Sequence, residues 1–242
     1  MSYNFTQLAS VDSTNSYVKL HLDKLSNRDV VVADTQTEGR GRLKRKWVSS
    51  SAKNLYFSIA LKDIGDIREV QNITQVGALA LVVTLKNYGV IAKIKWPNDV
   101  LVSSKKISGI LSETVIKGSD LEALVLGVGI NLNMDKAFLD LIDQPATSLG
   151  VEIEKEIDKQ AFLNDFLDIF FAYYDKFLES GFASLRDEWK SHTNLSGKNI
   201  IIRNNGNNIK VRVLDINNDG TLKVISKDNI VSTVCCGDIE II

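Results

Sequence analysis

The spacing of apolar runs between residues 92 and 132 restricts this chain to few folds. Ala92 to Lys95, Val100 to Val102, Ile107 to Ile116 and Leu121 to Leu132 are strand-like stretches separated only by turn-rich or charged pieces. Those gaps leave no room for βαβ crossovers, so the strands must pair antiparallel as a meander. Val30 to Ala33 and Asn54 to Leu61 read as two earlier strands. Around them lie helical patterns. Leu8 to Leu25 carries the polar cluster Asp12-Ser13-Thr14-Asn15, an N-cap or turn, followed by apolar positions that suit an amphipathic helix. Ile67 to Tyr88 puts Val70, Ile73, Val76, Leu79, Ala80 and Val83 on one side and ends at Gly89, a C-cap glycine. Gln160 to Phe177 spaces Phe162, Phe166, Ile169, Phe170, Tyr173 and Phe177 by threes and fours, a core-packing stripe. Phe182 to Trp189 adds a shorter helix.

Beyond Ser196-Gly197 the pattern changes. Short alternating stretches (Ile200 to Ile202, Ile209 to Val213, Thr221 to Ser226, Ile230 to Val234) are punctuated by Asn204-Asn205-Gly206-Asn207 and Asn217-Asn218-Asp219-Gly220. Asn-Gly and Asp-Gly between alternating strands mark hairpins. The expected architecture is α+β, with a mixed, largely antiparallel sheet and helices over residues 1–195. A small β-barrel over residues 196–242 follows it.

Gly39-Arg40-Gly41-Arg42-Leu43-Lys44-Arg45-Lys46-Trp47 concentrates five cations, two glycines and an indole in nine residues. Arginine grips phosphate or carboxylate through paired hydrogen bonds, and an indole offers a flat face to a purine or a cation. A phosphorylated small molecule fits these residues; so do a solvated surface loop and non-specific contact with nucleic acid. Net charge is −1, so the basic loop is local, which argues against a nucleic-acid binder with a domain-wide positive excess. No apolar run reaches the ~18 residues of a membrane span, and the N-terminus lacks signal-peptide features. The only cysteines, Cys235 and Cys236, are adjacent, unsuited to a metal site or a disulfide framework, and a reducing cytoplasm is the expected compartment. Two histidines, His21 and His192, in ordinary contexts give no basis for a His triad.

Three further segments carry chemistry. Lys95-Trp96-Pro97-Asn98-Asp99 is a polar corner between strands, a pattern that a plain turn also satisfies. Lys105-Lys106-Ile107-Ser108-Gly109-Ile110-Leu111 and Gly127-Val128-Gly129-Ile130-Asn131 place glycines inside neighbouring strands. That weakens a sheet unless another group must approach closely, so a side-chain-free floor for a ligand is expected, with β-bulges as the alternative. The spacing lacks the pattern of a Rossmann site.

Taken in this order, the segments resemble the biotin protein ligases. The resemblance rests on Ser13-Thr14-Asn15, Gln36 to Trp47 (family form GRGRxxRxW), Lys95 to Asp99 (KWPND), Lys106 to Leu111 (KxxGIL) and Gly127 to Asn131 (GxGIN), with Thr147-Ser148-Leu149 a weaker match. It implies a catalytic domain like that of class II aminoacyl-tRNA synthetases, followed by an SH3-like barrel. It further implies ATP-dependent activation of biotin to biotinyl-5′-AMP with Mg²⁺, then transfer to a lysine of a biotin carboxyl carrier protein such as that of acetyl-CoA carboxylase.

By the same resemblance Ser13, Thr14 and Gln36 hold the ureido ring, with backbone near Gly39 and Arg40, and Asn15 belongs to the same biotin-binding motif. Gly109, Gly127 and Gly129 line the biotin pocket. Arg40, Arg42 and Arg45 bind carboxylate and phosphates, and Lys106 touches the reacting carboxylate and adenylate phosphate. Trp47 and Asn131 lie near adenine, and Lys95 and Asp99 order the reaction centre. No metal ligand is assigned.

Leu43 and Lys44 depart from the arginine and glycine that can occur in the family loop. The few residues before Ser13 leave no space for a DNA-reading winged helix, so a ligase without a repressor role and without DNA binding, monomeric or homodimeric, is the expectation. A lipoate ligase or octanoyl transferase of the same fold class is the enzyme rival, and a nucleic-acid-binding module is the other. The charge density of the loop predicts mobility until an anion arrives.

Overall fold

The computed structural model describes residues 3–49, 53–62, 64, 67–204 and 207–242. The chain begins with β1 (Phe5–Val11), α1 (Thr14–Leu20) and β2 (Val30–Gln36), then reaches β3 (Leu55–Leu61) and α2 (Ile73–Asn87). The meander follows as β4 (Lys93–Lys95), β5 (Asp99–Val102), β6 (Lys105–Lys117) and β7 (Asp120–Ile130). After it come α3 (Lys136–Leu139), α4 (Leu149–Ile153), α5 (Lys159–Ser180) and α6 (Arg186–Ser191). The last strands are β8 (Asn199–Asn204), β9 (Asn207–Ile216), β10 (Leu222–Ser226), β11 (Val231–Val234) and β12 (Asp238–Ile241).

The first seven strands form one sheet in the order β1-β2-β3-β7-β6-β5-β4. β4 to β7 pair antiparallel in sequence, as their spacing requires. β1 pairs parallel with β2, which makes the sheet mixed. Alternate residues serve opposite faces. Val30, Val32, Phe57 and Ile59 enter the main core beneath α2 and α5, whereas Val31, Ala60, Ala123 and Val125 join a smaller cluster under Val18 and Leu22 near α1.

In α5, Phe162, Phe166, Phe170, Tyr174 and Phe177 are buried, and Phe166, Phe170 and Tyr174 stack in series. Each such side chain contributes roughly 1.5–3 kcal/mol of burial, enough to fix the helix against the sheet. Ile169 and Tyr173 only flank that core. α2 was expected to bury one side, yet every residue from Ile73 to Val82 is buried. The reason is a third neighbour besides sheet and α5: a turn of the C-terminal sheet, whose Gly220 carbonyl accepts from Gln75 Nε2 at 2.8 Å. Gly89 (φ +83) ends α2 as expected; its N–H bonds Lys86 O and that of Val90 bonds Leu85 O, closing a Schellman motif.

α1 begins at Thr14 with Ser13 as its N-cap residue, within the expected polar cluster, whereas the strand β1 before it had not been read from the sequence. β1 is an edge strand with few apolar residues, mostly exposed or half-exposed, so no clean alternation marks it. The five last strands form an antiparallel sheet, β11-β10-β9-β8-β12, consistent with a small SH3-like barrel. Gly220 (φ +74) makes the β9–β10 turn, as its Asp-Gly signal predicts. The Asn205-Gly206 turn lies outside the described residues.

Candidate functional site

The sheet, the basic loop and the C-terminal barrel enclose a cavity of about 340 Å³. Ser13, Thr14, Asn15, Gln36, Arg40, Arg42, Arg45, Trp47, Lys95, Asp99, Lys106, Gly109, Gly127 and Gly129 all line it.

One end is polar and neutral. α1 begins at Thr14, and its N-cap residue Ser13 makes no side-chain capping bond. Gln36, at the end of β2, accepts at Oε1 from Thr14 N (2.9 Å) and Thr14 Oγ1 (3.2 Å) and donates from Nε2 to Ser49 Oγ. The buried Ser58 hydroxyl on β3 lies 2.7 Å from Thr14 Oγ1 and 2.6 Å from Asn15 Oδ1. A serine inside the apolar run Leu55–Leu61 was the signal that could have revealed it. Asn15 Nδ2 donates to Glu113 Oε2 at 2.8 Å, and Lys19 Nζ reaches Glu113 Oε1 at 2.7 Å. Glu113 was also missed, although period two along β6 sets it on the face of Gly109 and Leu111. Burial would raise the Glu113 carboxyl, but the bonds from Lys19 and Asn15 and the charge of Arg40 outweigh it and hold the group below its ordinary value.

The glycine floor exists, but protein side chains rest on it. Gly109 and Gly129 are register partners in β6 and β7. A Cβ on Gly129 would lie 2.6 Å from Trp47 Cε2, one on Gly109 2.9 Å from Trp47 Cζ3, and one on Gly127 2.2 Å from Asn15 Oδ1. These glycines therefore admit the indole and the Asn15 amide, and the ligand space lies beside them. The register shifts of this sheet fall at Val100/Leu101, opposite Ser108 and Lys106, and at Val115/Ile116; Gly109, Gly127 and Gly129 are themselves regularly paired. Trp47 Nε1 is buried without a hydrogen-bond partner, a costly condition that an acceptor on a bound ligand would relieve.

The other end is cationic. The basic loop is a tight excursion closed by an Arg40–Lys46 bridge and a bond from Trp47 N to Gly39 O (2.8 Å), with one 3₁₀ turn at Arg42–Lys44. Its arginines diverge. Arg40 donates to Ser16 Oγ and pairs with Glu113 at 3.3 Å. Arg42 meets Asn98 Oδ1, the Gly237 carbonyl and Asp238, and Arg45 also pairs with Asp238. Repulsion among the cations, the basis for expecting a mobile loop, is thus answered by two carboxylates. Asp238 stands on a short barrel strand with no local signal, which is why sequence reasoning did not reach it.

Lys106 Nζ forms an ion pair with Asp99 Oδ1 at 2.7 Å and lies 5.5 Å from the Trp47 ring centroid. The Lys95-to-Asp99 corner divides its labour. Asp99 faces Lys106, and Lys95 is exposed at the cavity edge. Asn98 Nδ2 ties the corner to Ile110 O, and buried Trp96 donates to Gly220 O at 3.2 Å.

Two expected site residues stand apart from the cavity wall. Asn131 is 4% exposed behind the floor, where its amide is engaged by the carbonyls of Thr147 (3.1 Å) and Lys106 (3.5 Å). Gly39 sits at the loop base, where a Cβ would meet Trp47 O at 2.6 Å. Both shape the site from outside. Among the described residues no three His, Cys, Asp or Glu side chains converge as a metal cluster, and no helix is long and apolar enough to cross a membrane.

The family model for biotin/lipoate A/B protein ligases matches residues 8–131, just over half of the chain, including the basic loop and strands β2 to β7. This chain belongs to the biotin/lipoate A/B protein ligase family. Within that ligase family it is 35% identical over 202 residues to the biotin--[acetyl-CoA-carboxylase] ligase of Paracoccus denitrificans, covering 81% of this chain and 83% of that one. It is 30% identical over 214 residues to the bifunctional ligase/repressor BirA of Bacillus subtilis; that match takes in 88% of this chain but only 66% of the relative's length. The biotin protein ligase from Aquifex aeolicus in complex with biotin and ATP superposes with a TM-score of 0.83 at 26% identity, over 99% of this chain and 98% of that one.

Proposed function

We propose that this ligase-family chain is an ATP-dependent biotin protein ligase. One observation carries the reading: a single cavity joins a neutral hydrogen-bonding end at Ser13, Thr14 and Gln36 to a cationic end at Arg42, Arg45 and Lys106. A ureido ring suits the first end and nucleotide phosphates the second, with the biotin carboxylate between them. The biotin and carboxylase ligase names of the relatives support the same assignment. A lipoyl or octanoyl chain would bring no donor or acceptor to this polar end, whose groups would keep only the bonds they make to one another, which disfavours the rival activity.

In the first step a biotin carboxylate oxygen attacks the α-phosphorus of ATP and pyrophosphate leaves. Lys106 and the loop arginines are placed to stabilise the negative charge that gathers there. Asp99, held by Lys106 at 2.7 Å, positions that ammonium. In the second step the amine of a carrier-protein lysine attacks the mixed anhydride, forming an amide and releasing AMP. Loop closure protects the anhydride from water. Mg²⁺ would enter with ATP as part of the substrate and would supply charge neutralisation beside Lys106 and the loop arginines when bound.

Residues 1–195 are then the catalytic unit, and 196–242 form the barrel whose Asp238 reaches back to the loop. The test is pyrophosphate release with each acid in turn. Biotin-dependent release with no response to lipoate or octanoate is expected; the reverse preference would overturn the reading.

A further inference from the structure

Cys235 and Cys236 form the turn between β11 and β12, both exposed and reduced. Their sulfurs are 3.8 Å apart, with Cys235 as donor. Both line a second cavity of about 200 Å³ that also reaches Arg42, Trp96 and Asn98. The next residue, Gly237, has φ +127, and its carbonyl accepts from Arg42 Nη1 and Nη2 at 3.4 Å each. After it comes Asp238, the partner of Arg42 and Arg45. One short stretch of backbone therefore carries a vicinal dithiol and the anchor of the phosphate-facing loop.

We propose that Cys235–Cys236 is a thiol–disulfide modification site at which a low-molecular-weight disulfide closes a bond between the two sulfurs and loosens the loop anchor. The Cys236 thiolate attacks one sulfur of the disulfide and expels the first thiol. Cys235 then gives up its proton and attacks Cys236 within the mixed disulfide, expelling the second. The balance is two protein thiols plus one disulfide giving one protein disulfide plus two small thiols. The bond to Cys236, with burial second, pushes the Cys235 thiol up, which suits its place as the second attacker.

Adjacent Cα atoms lie about 3.8 Å apart across a trans peptide. Relaxed disulfides span about 4.4–6.8 Å, a distance that backbone rotation cannot supply between neighbouring residues, so closure strains the Cys235–Cys236 peptide and the strain is passed to the backbone leading into Gly237. Rotating the Gly237 carbonyl breaks its bonds to Arg42. Exposed, strained disulfides are readily reduced, which makes the change reversible.

The effect on ATP rests on the nucleotide reading of the main cavity, so two readouts are needed. The full-length reduced protein is treated with oxidised glutathione. Intact mass and peptide mapping should show loss of two hydrogens, a Cys235–Cys236 link and no retained glutathione. Apparent ATP affinity in biotin-dependent pyrophosphate release should weaken about tenfold, the scale of one lost charge-assisted hydrogen bond. Dithiothreitol should restore it, and the Cys235→Ser/Cys236→Ser double variant should not respond.

Persistent glutathione adducts without closure, a closed form with unchanged ATP affinity, or equal inhibition of the double variant would each overturn the proposal. If the reduced protein releases no pyrophosphate at all, the ligase reading fails instead. Amide exchange of residues 40–47 then decides the coupling: faster exchange after closure supports it, and equal exchange refutes it.

Discussion

Lys106→Ala offers the sharpest perturbation of the cationic end. The ammonium is mostly buried in the cavity wall, 2.7 Å from Asp99. Removing it forfeits a charge-assisted hydrogen bond to an anionic ligand, about 1.5–3 kcal/mol. It also strips Asp99 of its partner, leaving a carboxylate to face phosphate. At a separation of about 5 Å and an effective dielectric of roughly 20–80, that repulsion costs about 1–3 kcal/mol. The two effects sum to roughly 3–6 kcal/mol, so biotin-dependent pyrophosphate release should slow by about 10²–10⁴-fold. Circular dichroism should remain unchanged, because the side chain borders a cavity and not the core. Adding Asp99→Asn to the Lys106→Ala background should recover about tenfold, the share owed to repulsion. Release within about threefold of the unaltered protein, on the same rate scale, would refute the role of Lys106.

The remaining expectations concern the floor, the clasp and the loop. Gly129→Ala drives a Cβ to 2.6 Å from Trp47, so it should displace the indole, cost about 1–3 kcal/mol of stability and weaken nucleotide binding. Tryptophan fluorescence with an ATP titration checks this, and an unchanged titration contradicts it. Arg40→Ala removes the partner of Ser16 and Glu113 that holds the loop across the site, so biotinyl-AMP should escape into solution; retention equal to the unaltered protein argues otherwise. Because the folded Glu113 carboxyl is depressed, its stabilisation is complete above the ordinary value of 4.5 and disappears as pH falls through the lower folded value. Glu113→Gln should therefore flatten the acid side of a denaturation-versus-pH curve, and an unaltered slope would discount the clasp. Finally, amides of residues 40–46, held by the Arg40–Lys46 bridge and by Glu113 and Asp238, should be partly protected in the free protein and exchange more slowly with biotin and ATP; no change on ligand addition would remove the closure step.

The long-range frame was legible where one physical signal dominated. Short gaps between residues 92 and 132 enforced the antiparallel meander, and the aromatic spacing of α5 marked its buried face. Gly89 announced the end of α2 because only a residue tolerant of positive φ closes that motif without strain. β1 escaped because an edge strand need not alternate, and α2 misled because the barrel turn at Gly220 covers the side assigned to solvent.

The site shows the same division. Lys106, Trp47 and the loop arginines lie in recognisable local patterns, and the structure brings them to one cavity. Asp238 could not be read, since its importance arises only when residues nearly two hundred positions apart meet. Asn131 was legible as a motif member but not as a brace, because its hydrogen-bond partners at Lys106 and Thr147 are backbone carbonyls.

The most direct measurement is the intact mass of a biotin carboxyl carrier domain after incubation with this protein, ATP, Mg²⁺ and biotin. A single added biotinyl group is expected. It should require ATP, map to one lysine and vanish when that lysine is replaced by arginine. An unmodified carrier in a reaction that consumes ATP, or a carrier modified by lipoate and not by biotin, would contradict the account.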